Sequence, residues 1–460
     1  MSDNVVVKSA AGYMASNLLV KASGFITIPI FTRLLSQAEY GQYNNFLSWV
    51  TIVGIVTSMS LESTLISAKQ DYEDSFEDYA FSISIISIFL AGIWWLLAWV
   101  LMPFVSPLLA MDPLYIHAMF IYLLFQPIVN IYQTRERFLF KWKATVATSV
   151  AVSVGSAVLS VLLVITMGDK LLGVIAGRVA PMMLIGALLL LACIKQGNKF
   201  IVSCVAYALP IAAPFIPHLL AMNLLGSLNK IFIEQACGSE ANAMYSLANN
   251  CGLIVSIFTT SLNGAFAPWL GERLAEGEYA VTRKVGKPYI LLFALLAIGA
   301  SLFAPEIMYI LGGPDYIDAA SMIPAISMGC VFQFAYCMYV NIEQFKKKTV
   351  GMALASASAA VVNAALDIVL IPRFGYQVAA IATAISYAWL LFVHMALVSH
   401  IGLLKVYDVK YNIIVIAITT ISMVLISAIY PYPVARIVLA AIVLFGLILL
   451  LPSLKSLKRR

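Results

Sequence analysis

Long apolar runs separated by short polar connections fill almost the whole of the 460-residue chain. The runs are roughly 20 to 28 residues long and uniformly apolar, so they predict helices; strands of a membrane barrel would alternate over about ten residues. A hydrocarbon core of about 30 Å takes about 20 helical residues to cross. The pattern therefore predicts an all-α polytopic membrane protein with spans near 9–36, 41–68, 78–106, 113–134, 144–167, 171–194, 205–236, 240–268, 287–312, 318–345, 349–372, 376–400, 411–430 and 433–453, fourteen transmembrane helices in all. No connection is long enough to hold a soluble domain.

Composition agrees with that reading and charge orients it. Hydrophobic residues make up 62% of the chain and mean hydropathy is +0.94, outside the soluble range. With a cytoplasmic N-terminus, most of the 28 lysines and arginines fall on inner connections. They include Arg135, Arg137, Lys141 and Lys143, then Arg273, Arg283, Lys284 and Lys287, then Lys346, Lys347 and Lys348, and the tail Lys455, Lys458, Arg459 and Arg460. Only Arg33, Lys170, Arg373 and Arg436 sit at outer ends. The positive-inside rule thus places both termini in the cytoplasm and supports an even number of spans. The net charge of +6 reports this topology and contact with membrane lipids, and implies no nucleic acid. The first apolar run lacks a cleavage site and reads as an uncleaved helix. The six cysteines, without CxxC or clustered His, read as small apolar residues, with no metal implied. LGERLAEGEYAVTRKVGK (270–287) reads either as a short amphipathic surface helix or as a solvated connector.

A weak internal repeat divides the chain. SQAEYGQY (36–43) matches GSEANAMY (238–245), and GVIAGRVA (173–180) echoes VAAIATAI (378–385). Six spans and six similar spans of one orientation predict two six-helix lobes, 1–200 and 201–405, related by a pseudo-two-fold axis along the membrane normal. A further span pair and basic tail follow at 406–460. Repeats of that kind meet at a central cavity and work by alternating access.

Polar groups inside spans carry the candidate chemistry, since a charge at mid-bilayer costs at least about 2.5 kcal/mol. Lys21 is central in span 1, on one stripe with Tyr13, Asn17 and Gly24. It reads as a cation facing a wet cavity or as the partner of Glu62. Span 7 carries Asn223, Ser227, Lys230 and Glu234 on one face, where Lys230 and Glu234 can neutralise each other. Span 8 offers Tyr245, Asn249, Ser256 and Asn263, suited to sugar hydroxyls or to helix–helix hydrogen bonds. Arg178, about eight residues into span 6, can hold phosphate in a bidentate fork. Glu62, Glu234 and Asp367 are candidate coupling acids, with an ordinary interfacial role open to Glu62 and Asp367. Pro29 in span 1 and Pro210, Pro214 and Pro217 in span 7 are candidate hinges.

FITIPIFTRLLSQAEYGQYNNFLSWVTIVGIVTSMSLESTLI, with Pro29, Thr32, Arg33, Leu35, Glu39, Tyr40, Gly41 and Tyr43, resembles the opening of the polysaccharide exporters, or repeat-unit flippases, of the multidrug/oligosaccharidyl-lipid/polysaccharide (MOP) superfamily. FAPEIMYILGGPDYIDAASMIP (303–324) and KKKTVGMALASASAAVVNAALDIVLIPRFGYQVAAIATAIS (346–386), with Asn363, resemble the same family. The resemblance implies two six-helix lobes around a cavity and translocation of a polyprenyl-diphosphate-linked oligosaccharide from the inner to the outer leaflet of the bacterial cytoplasmic membrane. Spans 13 and 14 resemble the extra pair of lipid II flippases. The drug-extruding branch usually carries an early acid where this chain has Lys21, a departure that favours anionic cargo.

On that reading Lys21, Arg178 and Lys230 attract the diphosphate, and Asn17, Asn223, Tyr245, Asn249 and Asn263 hold sugars. No P-loop is present, and neither cofactor nor enzymatic step is expected. A monomer is the default, alongside polysaccharide polymerase machinery. The alternatives are a cation-coupled multidrug antiporter and, behind it, a membrane polymerase or glycosyltransferase, for which the outer connections are too short.

Overall fold

The computed structural model describes residues 3–139, 141–197, 199–213 and 215–456, without side chains at some positions of these stretches. Pro214 lies outside the described residues, and Asn17, Pro217 and Ser256 outside the described side chains. Secondary structure among the described residues is helical, with no strand. Among the described residues ten helices are long and apolar enough to cross a membrane, or eleven if one bent pair is a single span. Contacts divide the chain into two compact units, Met1–Ala243 and Met244–Arg460.

The first unit contains α1 (Asp3–Leu34), α2 (Gln37–Ser58), α3 (Leu65–Asp71), α4 (Phe76–Val100), α5 (Met102–Leu109), α6 (Pro113–Phe138), α7 (Trp142–Thr166), α8 (Lys170–Gln196), α9 (Ser203–Ala212) and α10 (Phe215–Cys237). Several starts are set by short polar side chains that satisfy the free N–H groups of a first turn. Ser36 and Glu39 form a reciprocal capping box on α2, Asp112 accepts from Leu114 N on α6, and Asp169 accepts from Leu172 N on α8.

α7 and α8 pack backbone to backbone, because the small-xxx-small pair Gly173 and Gly177 lies in their interface. A Cβ at Gly177 would stand 2.3 Å from Ser160 Cα, and Ser160 Oγ donates to Val174 O at 3.0 Å. At one end of the bundle α4, α6 and α8 are tied by Arg135, which is 1% exposed, pairs with Glu77 at 2.7 Å and also donates to Gln196. The helix α1 lies on α7, with Gly12 against Trp142 and Ser23 hydrogen-bonded to Ser153 at 2.6 Å.

A span read as continuous is broken. Between α2 and a 3-10 turn at Leu61–Thr64, Met59 and Ser60 take left-handed backbone (φ 49° and 52°), and the chain bends by 51°. No proline or glycine announces this break. In span 7 α9 ends at Ala212 and α10 begins at Phe215, with Pro210 inside α9. Pro29, by contrast, lies inside the uninterrupted α1.

The helix α11 (Ser239–Glu276) begins in the first unit and runs into the second, which continues with α12 (Tyr279–Leu302), α13 (Ala304–Gly312), α14 (Ile323–Phe345), α15 (Thr349–Phe374), α16 (Val378–His400), α17 (Val409–Ile429) and α18 (Pro433–Ser456). The stretch 270–287 is therefore no separate surface helix. It is the end of α11 and the start of α12, divided where Gly277 takes φ +74° and Arg273 pairs with both Glu276 and Glu278. The second unit's core joins α11, α12, α14, α16 and α17, with Phe293 and Phe334 stacked at 4.1 Å. The C-terminal pair packs on α12, where Arg436 reaches Glu306 Oε2 at 2.7 Å and Leu302 O at 3.1 Å.

Element order carries the repeat further than the sequence echoes do. The long helix α4 is followed by the short proline-started α5 and then α6; likewise α12 is followed by the short proline-started α13 and then α14.

Candidate functional site

Arg178 sits on α8 directly after Gly177, where the tight α7–α8 contact fixes the backbone. Eight residues from the helix start, it lies about 12 Å into the span. Its guanidinium is 5.9 Å from the ring centre of Tyr122 on α6, and Tyr43 of α2 is its other aromatic neighbour. Its Nε is buried with no hydrogen-bond partner, and among the described residues no carboxylate pairs with it. A ring face compensates a cation only in part. Tyr122 also hydrogen-bonds the guanidinium, and Nε remains without a partner in a planar fork of the kind suited to phosphate.

Lys21 is exposed on α1. It lies two residues before Ser23, which faces α7, and so points to nearly the opposite side of the helix. Among the described residues it pairs with no acid, so the proposed lock with Glu62 is not formed. Glu62 lies in the 3-10 turn beyond the Met59–Ser60 break, half-buried, with Oε2 buried and without a partner. Lys230 and Glu234 do not neutralise each other. Glu234 instead accepts from Ser239 Oγ and from Asn242 Nδ2 at 2.8 Å, and Asn242 also donates to Gly41 O at 3.0 Å. This knot joins the two stretches that the repeat had aligned, 36–43 and 238–245.

The remaining polar candidates separate. Asn223 turns back to Leu219 O of its own helix, Tyr245 is buried, and Asn249 is half-buried. Asn263 accepts from Asn341 Nδ2 at 2.7 Å, a bond between α11 and α14. In the second unit Asp367 is fully buried on α15, one turn from the fully buried Asn363. Neither side chain has a hydrogen-bond partner among the described residues. Two unsatisfied polar groups on one helix face are costly, and a proton or a small cation would relieve both.

Sequence reasoning missed Tyr122 and Tyr43 as neighbours of Arg178, and Asn363 as the neighbour of Asp367. The i,i+4 spacing of Asn363 and Asp367 was a usable signal; one tyrosine among 22 was not. Among the described residues no cluster of His, Cys, Asp or Glu is suited to a metal ion, and the six cysteines are unpaired.

The fold has known counterparts. It superposes on a lipid II flippase, MurJ, in an inward closed conformation with a TM-score of 0.74 at 12% identity, over 97% of this chain and 99% of that one. A multidrug resistance MATE family transporter of the MOP superfamily, inward-facing, matches with a TM-score of 0.58 at 14% identity, over 85% of this chain and 95% of the other. A MOP superfamily transporter from Pyrococcus furiosus, described by the reverse polarity of its binding pocket, matches at 0.52 and 13%, over 92% and 96%. No curated protein matches the chain in sequence. A family model described as polysaccharide biosynthesis protein matches residues 6–274. That match covers more than half of the sequence, and the chain belongs to the polysaccharide biosynthesis protein family, with a fold like those of MurJ and the MATE transporters.

Proposed function

We propose that this protein is a flippase that carries a polyprenyl-diphosphate-linked oligosaccharide from the inner to the outer leaflet of the bacterial cytoplasmic membrane by alternating access. The observation that carries this reading is Arg178, an intramembrane guanidinium held by tyrosines with no carboxylate partner. A site built for a cationic drug would place an acid there. On this reading Arg178 grips the diphosphate, Lys21 supplies a second positive charge on an exposed helix face, and Lys230, free of Glu234, is a third. Asn and Tyr side chains meet the sugars, and both termini face the cytoplasm. The protein acts as a monomer that hands its cargo to the polymerase machinery.

The test is outer-face exposure of the lipid-linked oligosaccharide, read with an impermeant glycan probe in cells depleted of the protein and complemented with variants. Arg178→Ala and Lys21→Ala should each leave folded protein in the membrane and abolish the outer signal while the inner pool accumulates. Wild-type exposure in Arg178→Ala cells would remove this arginine from the mechanism.

A second reading, a cation-coupled multidrug antiporter, draws on the unpartnered acids Asp367 and Glu62. It requires Asp367→Asn to abolish drug resistance while Arg178→Ala does not. Within the flippase reading Asp367 and Asn363 form the coupling site, and Asp367→Asn slows export without abolishing diphosphate binding.

A further inference from the structure

The second unit has a cleft of about 380 Å³ at the inner end of α14, α15 and α16, separate from Arg178 and from Asp367. Its rim carries Lys347, Lys348 and His400, and Val350 and Leu397 give it an aliphatic side. The rim is built rather than trailing. Lys347 takes left-handed backbone (φ 57°), Lys347 N donates to Gln344 O at 3.0 Å, and Lys348 N donates to Glu343 O at 2.9 Å. The first turn of α15 has no side-chain cap. From the cleft Val350 and then Leu354, one turn further on α15, are 72% and 67% exposed, an apolar stripe leading from the basic rim along the span.

Glu343 lines the same cleft and is 1% exposed. Its Oε1 meets His394 Nδ1 at 2.8 Å, and Tyr336 stacks on the His394 ring at 5.6 Å. Its Oε2 is buried without a hydrogen-bond partner. Lysines at the rim call for an anion, an unsatisfied carboxylate oxygen calls for a donor, and an apolar stripe calls for a hydrocarbon chain.

We propose that this cleft binds a phospholipid of the inner leaflet whose headgroup carries a primary amine beside its phosphate, as in phosphatidylethanolamine. The phosphate lies between Lys347 and Lys348, the ammonium donates to Glu343 Oε2, and an acyl chain follows Val350 and Leu354. Basic pockets between helices on the cytoplasmic side commonly take lipid headgroups. Here the carboxylate selects among them: a primary ammonium has three N–H donors, a choline none, and a glycerol headgroup adds no positive charge. The proposal is independent of which cargo the protein moves.

The test is lipid retention by the purified full chain, read by native mass spectrometry after exchange into micelles containing equal amounts of phosphatidylethanolamine, phosphatidylcholine and phosphatidylglycerol with identical chains. The wild type should retain the ethanolamine lipid about tenfold over the other two, the size of one charge-assisted hydrogen bond. Glu343→Gln, which keeps a partner for His394, should level ethanolamine with choline. The exposed double variant Lys347→Gln/Lys348→Gln should reduce retention of all three, and it decides the matter should Glu343→Gln not fold. Equal retention by the wild type, stronger retention of phosphatidylglycerol, or undiminished retention of all three lipids by the double variant would each overturn the proposal.

Discussion

Arg178 and Gly41 show how far a single residue could be understood from the sequence. Arg178 stood out because a guanidinium inside a span is expensive, and the structure places it against Tyr122 with no counter-ion among the described residues. Its aromatic surroundings come from α2 and α6, far away in the chain, and no local pattern announces such neighbours. Gly41 was visible only as part of a family motif. Its reason is steric: a Cβ there would lie 1.8 Å from Ser239 O, a backbone atom that cannot step aside cheaply. Gly41→Ala should therefore destabilise the protein by at least about 1 to 3 kcal/mol, the usual cost of overpacking. A thermal melt of the detergent-solubilised variant checks this, and an unchanged midpoint would mean that the turn between α10 and α11 can move away. The candidate acids were legible as residues and not as partners. Lys230 and Glu234 have the spacing of a helical pair, yet Glu234 finds Ser239 and Asn242, whose neutral donors hold it without drawing Lys230 across the helix face.

At the scale of elements, apolar length identified a chain of many membrane-spanning helices, and neither proline nor glycine foretold the break at Met59 and Ser60. That break is held by tertiary contacts against the backbone's preference. Left-handed backbone at a residue with a Cβ costs about 1 to 3 kcal/mol where it is over-determined by its surroundings. Ser60→Gly removes that cost while keeping the backbone bond from Ser63 N to Ser60 O. It should raise the thermal midpoint by about 2 to 4 °C; a lower midpoint would show that the Ser60 side chain matters more than its φ. The cap of α17 yields a pH prediction. Lys287, 2.7 Å from Asp408, holds that carboxyl below its ordinary value, assisted by the hydrogen bond from Tyr411 N. A depressed carboxyl contributes stability above the ordinary pKa of about 3.9 and loses it as pH falls through the lower folded value. Asp408→Asn can still cap but cannot titrate, so between about pH 5 and pH 3 its thermal midpoint should fall less than that of the wild type. Equal falls would show that this group contributes nothing to acid sensitivity.

For the whole molecule, the proposed cargo supplies its own driving force. Moving a diphosphate of about two negative charges outward across about 100 mV, inside negative, is favourable by about 2.3 kcal/mol per charge. Export should therefore slow when the potential is collapsed with a potassium ionophore and persist when ATP is depleted at constant potential; the opposite pattern would point to an energy source outside this chain. Apolar run length and the distribution of lysine and arginine are local quantities, and transfer out of water acts on each helix alone. For that reason the sequence by itself determined that the chain is an all-helical, multi-span membrane protein, how its connections are sorted by charge, and that its order of elements repeats. Which polar side chains within those helices satisfy one another depends on helix rotation and close approach, set by contacts such as Gly177 on Ser160 and Gly41 on Ser239. Those contacts join residues far apart in the chain, so only the tertiary structure decided that Arg178 lies against tyrosines, that Glu234 is satisfied, and that Asp367 has no partner among the described residues.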